Sequence, residues 1–122
     1  MEIIFRKENG HLEAILSGEA TYINYSESMV KIHEESLVSS NKSILIDLTK
    51  TTGHYNEFDR FKLGEKIASL FGGDYKVVVI DRKERINKFG ENTAVNRGAL
   101  FMVTHDRKVG LDWLNDVLTL YY

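Results

Sequence analysis

The sequence predicts an α/β fold: a mixed, partly parallel sheet whose strands alternate with helices in the order β-β-α-β-α-β-α-β-α. Three observations predict it. First, VVVI at Val77–Ile80 and ALFMV at Ala99–Val103 are continuous apolar runs, as expected of strands covered on both faces of a parallel sheet. The polar GENTAVNRG between them is a connector with one or two helical turns, so Val77–Leu114 reads as a right-handed βαβ unit followed by a helix. Second, SILIDL at Ser43–Leu48 reads as a short strong strand with Asp47 near its end, separated from VVVI by an amphipathic stretch. Third, EIIFRK and HLEAILS flank Glu8-Asn9-Gly10, and the Asn-Gly pair favours a tight antiparallel hairpin.

Taken in order, residues 2–7 and 11–17 form the half-exposed hairpin, with Leu12, Ala14 and Leu16 on one face. Gly18-Glu19-Ala20-Thr21 is a loop. From Tyr22 to Val38 the apolar residues Tyr22, Tyr25, Met29, Ile32 and Leu37 recur at helical spacing, with Thr21 or a nearby serine as cap. The strand at 43–48 ends in Asp47-Leu48, and TKTTGHY follows as a flexible polar loop. Asn56 is the expected N-cap of the next helix, with Glu57 and Asp59 suited to its positive end. Phe58, Phe61, Leu63, Ile67, Ala68, Leu70 and Phe71 give this helix a broad buried stripe, and Gly72-Gly73 ends it. After the strand at Tyr75–Ile80 and the crossover, Asp106 caps a final helix. There Val109, Trp113, Leu114, Val117 and Leu118 share a face, and Trp113 is expected to be largely buried against the sheet.

Length and composition set limits. A chain of 122 residues with 43% apolar and 28% charged residues reads as one soluble domain, residues 1–122, with enough chain for a real core. A net charge of −2 gives no general electrostatic drive toward nucleic acid or an anionic membrane. No apolar run approaches the ~20 residues that span a bilayer. MEIIFRKENG is not a secretory leader, which makes the cytoplasm the expected location. With no cysteine, thiol catalysis and cysteine-based metal sites are excluded. With no proline there is no Pro-rich linker.

Several stretches together resemble one family: GEATY at Gly18–Tyr22, ILIDL at Ile44–Leu48, KVVVI at Lys76–Ile80, FGENTAVNRG at Phe89–Gly98 and DRKVGLDWL at Asp106–Leu114. In this order they are similar to the SpoIIAA-like superfamily, that is, the STAS domains of anti-sigma-factor antagonists and their small stand-alone bacterial relatives. The resemblance implies a curved mixed sheet with helices on one side, and a regulatory or protein-interaction module rather than an enzyme. It also implies a phosphorylated serine at the start of the helix after the central strand. The matching place here is Tyr55-Asn56, and Asn56 carries no hydroxyl, so a phosphoserine switch is not expected there. Thr49, Thr51 and Thr52 are nearby but are not the family's position.

In an open α/β sheet, ligands bind beyond the carboxyl ends of the parallel strands. That edge gathers Asp47, Thr49, Thr51, His54, Asn56, Asp81, Arg82, Asn92, Arg97, Thr104 and His105. These residues suit loop caps and solvated surface as well as a binding site, and both readings stay open. Asp47 and Asp81 end neighbouring strands and could approach each other as a carboxylate pair. Gly90–Thr93 precedes a helical turn whose N–H groups could face an anion, with Arg97 as a bidentate clamp or as the ion-pair partner of Glu91 or Asp81. Arg82–Lys88 reads as a solvated charged loop. His11, His33, His54 and His105 lack metal-site spacing, although His54 and His105 could reach the same edge, where a His–Asp pair would be a candidate base. There is no GxSxG elbow and no P-loop, hence no expected catalytic residue, cofactor or metal. The expected partners are a protein or a small anionic ligand at this edge, or a second copy of the chain through aromatic surface such as Tyr121-Tyr122.

Overall fold

The computed structural model describes residues 1–8, 10–53, 56–87 and 89–115, with Phe89 described by its backbone alone. β1 (Glu2–Glu8) and β2 (His11–Glu19) pair antiparallel from Glu2 opposite Ser17 to Glu8 opposite His11. Asn9 of the expected turn lies outside the described residues, and Gly10 follows it with φ 90°. Next come α1 (Tyr22–Ser39), β3 (Ser43–Thr52), α2 (Glu57–Phe71), β4 (Lys76–Ile80), a 3-10 turn at Lys83–Arg85, α3 (Phe89–Asn96), β5 (Leu100–Thr104) and α4 (Arg107–Leu114). The sheet order is β1-β2-β3-β4-β5, antiparallel at the first pair and parallel thereafter.

This order has a direct consequence. Each parallel strand is laid beside the one before it, always in the same direction, so right-handed crossovers place α1, α2 and α3 on one face. They bury Ala14, Leu16, Ile44, Ile46, Leu48, Val77, Val79 and Phe101 beneath Tyr25, Met29, Ile32, Leu63, Ile67 and Phe71. α4 is not a crossover, and it covers the opposite face, where Leu114 packs on Leu45, Val78 and Ile80. The one-sided helix layer implied by the family resemblance therefore holds for three helices and not for the fourth. The central strands are apolar on both faces, and the second face needs its own cover. Arg107 of α4 pairs with the buried Glu13 of β2, whose Oε1 also lies 3.2 Å from His11 Nε2.

Several boundaries and faces differ from the sequence expectation. Gly18 and Glu19 belong to β2, and TKTT continues β3, because Ser17–Glu19 pair with Lys50–Thr52 after a register shift beyond Ile15. β-branched threonines suit this extension. On α1 the buried row is Tyr25, Ser28, Met29, Ile32 and Ser36; Leu37 falls off that row and is exposed. On α2, Phe58 is 66% exposed, because Leu63, Gly64, Ile67 and Phe71 face inward. Gly64 lets α3 come close: a Cβ there would sit 2.6 Å from the Gly90 carbonyl oxygen. On α4 the inward residues are Gly110 and Leu114, so Val109 is exposed and Trp113 only half-buried. The indole instead covers the Lys76 ammonium at 4.6 Å. Val117, Leu118, Tyr121 and Tyr122 lie outside the described residues. No helix among the described residues is long and apolar enough to cross a membrane.

Candidate functional site

At the carboxyl ends of β3 and β4 the chain makes two loops, and a buried arginine joins them. Asp81 follows the last residue of β4, and the 3-10 turn carries Arg85 back over it. The Asp81 Oδ1 accepts from Arg85 Nε at 3.0 Å, from Arg85 Nη2 at 2.6 Å and from the Arg82 amide at 2.7 Å. The other guanidinium hydrogens are donated to carbonyls at the end of β3: Nη2 to Leu48 at 2.7 Å, and Nη1 to Thr51 and Gly53 at 3.2 Å each. Both side chains are buried. Ionised groups are held inside a protein when every donor and lone pair has a partner, and the planar fork of arginine can meet several at once. Arg82 adds Nη2 to the Thr51 carbonyl at 3.1 Å.

Below this clamp, the Tyr25 hydroxyl of α1 meets Thr51 Oγ1 at 2.8 Å, and Thr51 Oγ1 donates to the Leu48 carbonyl at 2.7 Å. Burial pushes the Tyr25 phenol up from its ordinary range, partly offset by the Thr51 hydrogen bond and the Arg85 charge. A cavity of about 50 Å³ between the sheet and α2/α3 has Asp81 and Arg85 at its polar end and Leu63, Ile67, Val79 and Phe101 on its walls. That is room for water, far below an organic-ligand pocket.

Above the clamp lies an open groove of about 550 Å³, flanked by Gly53, Asn56, Glu57 and Arg60 on one side and by Arg82 and Ile86 on the other. Asn56 caps α2, its side chain accepting the Asp59 N–H at 2.8 Å. Beyond it stands the exposed ring of Phe58, with the Lys62 ammonium 5.0 Å from its centre and 4.3 Å from that of Tyr22. Ile23, at the start of α1, is 66% exposed.

The structure gathers some of the expected residues and separates others. Asn56, Arg82 and the residues after Asp81 meet at the groove. Asp47 and Asp81 do not pair. Asp47 alternates with Leu45 toward the α4 face, where its Oδ1 accepts the Thr49 amide at 2.8 Å and hydroxyl at 2.6 Å. Asp81 turns to the other face with Val79 and Phe101. Gly90–Thr93 lie inside α3, against α2, rather than in a turn before it. Arg97 points away from the edge: its Nη2 pairs with Glu65 of α2 at 3.1 Å and its guanidinium lies 5.2 Å from the Phe61 ring. Asn92, on α3, and His105 are exposed. His54 and Tyr55 lie outside the described residues. Among the described residues no three His, Asp or Glu side chains cluster. Arg85 is the residue the sequence reading missed, counted there as part of a solvated loop. The available signal was an arginine four residues beyond an aspartate that directly follows the apolar run VVVI.

No family model and no curated protein sequence matches the chain. Solved structures do. An uncharacterised protein of the DUF3478 family with a SpoIIAA-like fold, from Shewanella loihica, is 22% identical over 93% of this chain and 92% of that one, with TM-score 0.50. An anti-sigma factor antagonist from Mycobacterium paratuberculosis is 14% identical over 88% and 90%, with TM-score 0.57. A serine-to-glutamate variant of RsbS from Moorella thermoacetica is 19% identical over 98% and 99%, with TM-score 0.51. Together with the sheet order and its helices, these similarities establish that the chain has a SpoIIAA-like fold, the fold of the STAS domains its motifs resemble.

Proposed function

We propose that this chain is a single-domain, non-enzymatic regulatory module of the cytoplasm that binds a protein partner at the groove between the start of α2 and the 82–87 loop. One observation carries the reading: a preformed groove opens at the first turn of α2, the turn that also carries an exposed aromatic ring. The loops that form it are held by the buried Arg85, and Phe58, which follows the groove-lining Glu57 in α2 without itself lining the groove, is 66% exposed. A concave surface held rigid from below, with an exposed aromatic on the same helix turn, suits the docking of a partner. The shared fold with an anti-sigma factor antagonist supports action through a partner protein. The helix start that carries a phosphoserine in the resembled family carries Asn56 here, already committed to capping, so association is not switched at that residue.

The test places a photo-crosslinking residue at Phe58 or at Val109, on the opposite face, and captures partners in cells. The purified partner is then bound to the Phe58→Ser and Arg82→Glu variants. The reading expects capture from Phe58, none from Val109, and at least roughly tenfold weaker binding by both variants. Capture only from Val109, or unchanged affinity in both variants, overturns it. A second reading is favoured by a specific feature, Arg60 and Arg82 lining one groove beside Glu57 and Glu84: a small ligand with an anionic group binds there. It expects amide shifts at Asn56–Arg60 and Arg82–Asn87 on titration with inorganic phosphate or a nucleotide.

A further inference from the structure

β1 is an edge strand of unusual composition. It pairs with β2 on one side and with no described strand on the other. Its α4-side row is Glu2, Ile4, Arg6 and Glu8, all exposed, and Ile4 is 56% exposed although its cross-strand neighbour Ile15 is buried. Its other row, Ile3 and Phe5, packs partly on the core. Exposed edges in natural sheets are normally guarded by charge. Lys7 and Glu8 do so at one end, but Glu2–Arg6 reads acid, apolar, apolar, apolar, base.

We propose that β1 pairs antiparallel with β1 of a second copy of this chain, about a two-fold axis at Ile4, to make one continuous sheet. The register follows from the side chains. With Ile4 opposite its own counterpart, Glu2 faces Arg6 of the other chain in both directions, and Ile3 faces Phe5. Directly opposed residues of an antiparallel pair project from the same face, so the ion pairs join the exposed rows and the Ile3–Phe5 contacts join the helix-covered faces. A shift by two residues one way puts Glu2 on Glu8, and by two the other way puts Glu2 on Ile4. A shift by one turns one sheet over and sets the Ile4 row against the helix-covered face. Parallel pairing in register puts Glu2 on Glu2 and Arg6 on Arg6. Only one register matches charge with charge and apolar with apolar. Lys7 and Glu8 stay outside the paired stretch and limit its length. Because the contact is isologous, it consumes both β1 edges and closes as a dimer. The surface is distinct from the groove, so each partner can bind without displacing the other.

The test is sedimentation of the purified chain over a range of concentrations, together with two variants. The interface is small, which predicts a concentration-dependent monomer–dimer equilibrium. Glu2→Arg sets Arg against Arg6 twice and should weaken association at least roughly tenfold, with the thermal melt unchanged because Glu2 is exposed. Ile4→Cys introduces the sole thiol of a cysteine-free chain at the axis and should give a disulfide-linked dimer on mild oxidation. A chain that stays monomeric at the highest soluble concentration, a dimer indifferent to Glu2→Arg, or an Ile4→Cys thiol that does not cross-link overturns the proposal.

Discussion

Removing the Arg85 guanidinium is the most informative perturbation of this fold. Arg85→Met keeps much of the stem's volume and deletes five hydrogen bonds, two to Asp81 and one each to the Leu48, Thr51 and Gly53 carbonyls. Asp81 is left buried with one remaining donor, the Arg82 amide. Breaking one side of a buried ion pair costs about 3–5 kcal/mol, chiefly because the surviving charge is stranded. Against a total stability of about 5–15 kcal/mol for such a domain, that loss is large. The loss should shrink when the stranded charge is also removed, so the Asp81→Leu/Arg85→Met double variant should be more stable than Arg85→Met alone. Arg85→Lys should fall between wild type and Met, since one ammonium can reach Asp81 but cannot fork to the carbonyls of β3. Urea unfolding followed by Trp113 fluorescence measures the cost, and amide hydrogen exchange locates it. The Leu48–Gly53 amides should lose protection in Arg85→Met, while those of α4 keep theirs. A cost below about 1 kcal/mol, the worth of one ordinary hydrogen bond, with unchanged exchange at Leu48–Gly53, would refute the clamp.

Three further outcomes are expected. Gly64→Ala should cost about 1–3 kcal/mol by thermal or urea unfolding, since its Cβ would meet the Gly90 carbonyl oxygen and the Thr93 Cβ of α3 at 2.6 and 2.8 Å. Asn56→Ala should cost about 0.5–2 kcal/mol through loss of the cap on α2, and Asn56→Asp should not; equal losses in both would point to something other than capping. Tyr25 holds its proton more tightly folded than unfolded, so its contribution is complete below the ordinary phenol range and declines as pH rises through the raised folded value. Stability measured across alkaline pH should therefore fall less steeply in Tyr25→Phe than in wild type, and parallel profiles would count against the Tyr25–Thr51 contact.

What the sequence determined by itself is the framework. Apolar runs such as KVVVI specify strands buried on both faces, the periodicity of Tyr25, Met29 and Ile32 specifies a helix, and Asn56 and Asp106 mark two helix starts, because each of these signals is local. Strand order came from the tertiary structure, and once it is known crossover handedness sets the side of the sheet on which α1–α3 lie. The faces were less legible. Leu37, Phe58 and Val109 are apolar yet exposed, since which of two overlapping stripes turns inward depends on the element packed against it, and Gly64 and Gly110 allow close approach of α2 to α3 and of α4 to the sheet. The candidate site was legible as an edge and not as a set of residues. Asp47 and Asp81 are one step out of phase along their strands and so face opposite sides. Arg97 found Glu65 and Phe61 on a helix that sequence spacing could not align with it. Arg85 looks like any surface arginine in its own stretch, KERI. It is buried because the ends of β3 and β4 lie side by side, offering a carboxylate and three carbonyls to one guanidinium, and only the tertiary structure brings those five groups within reach of one another.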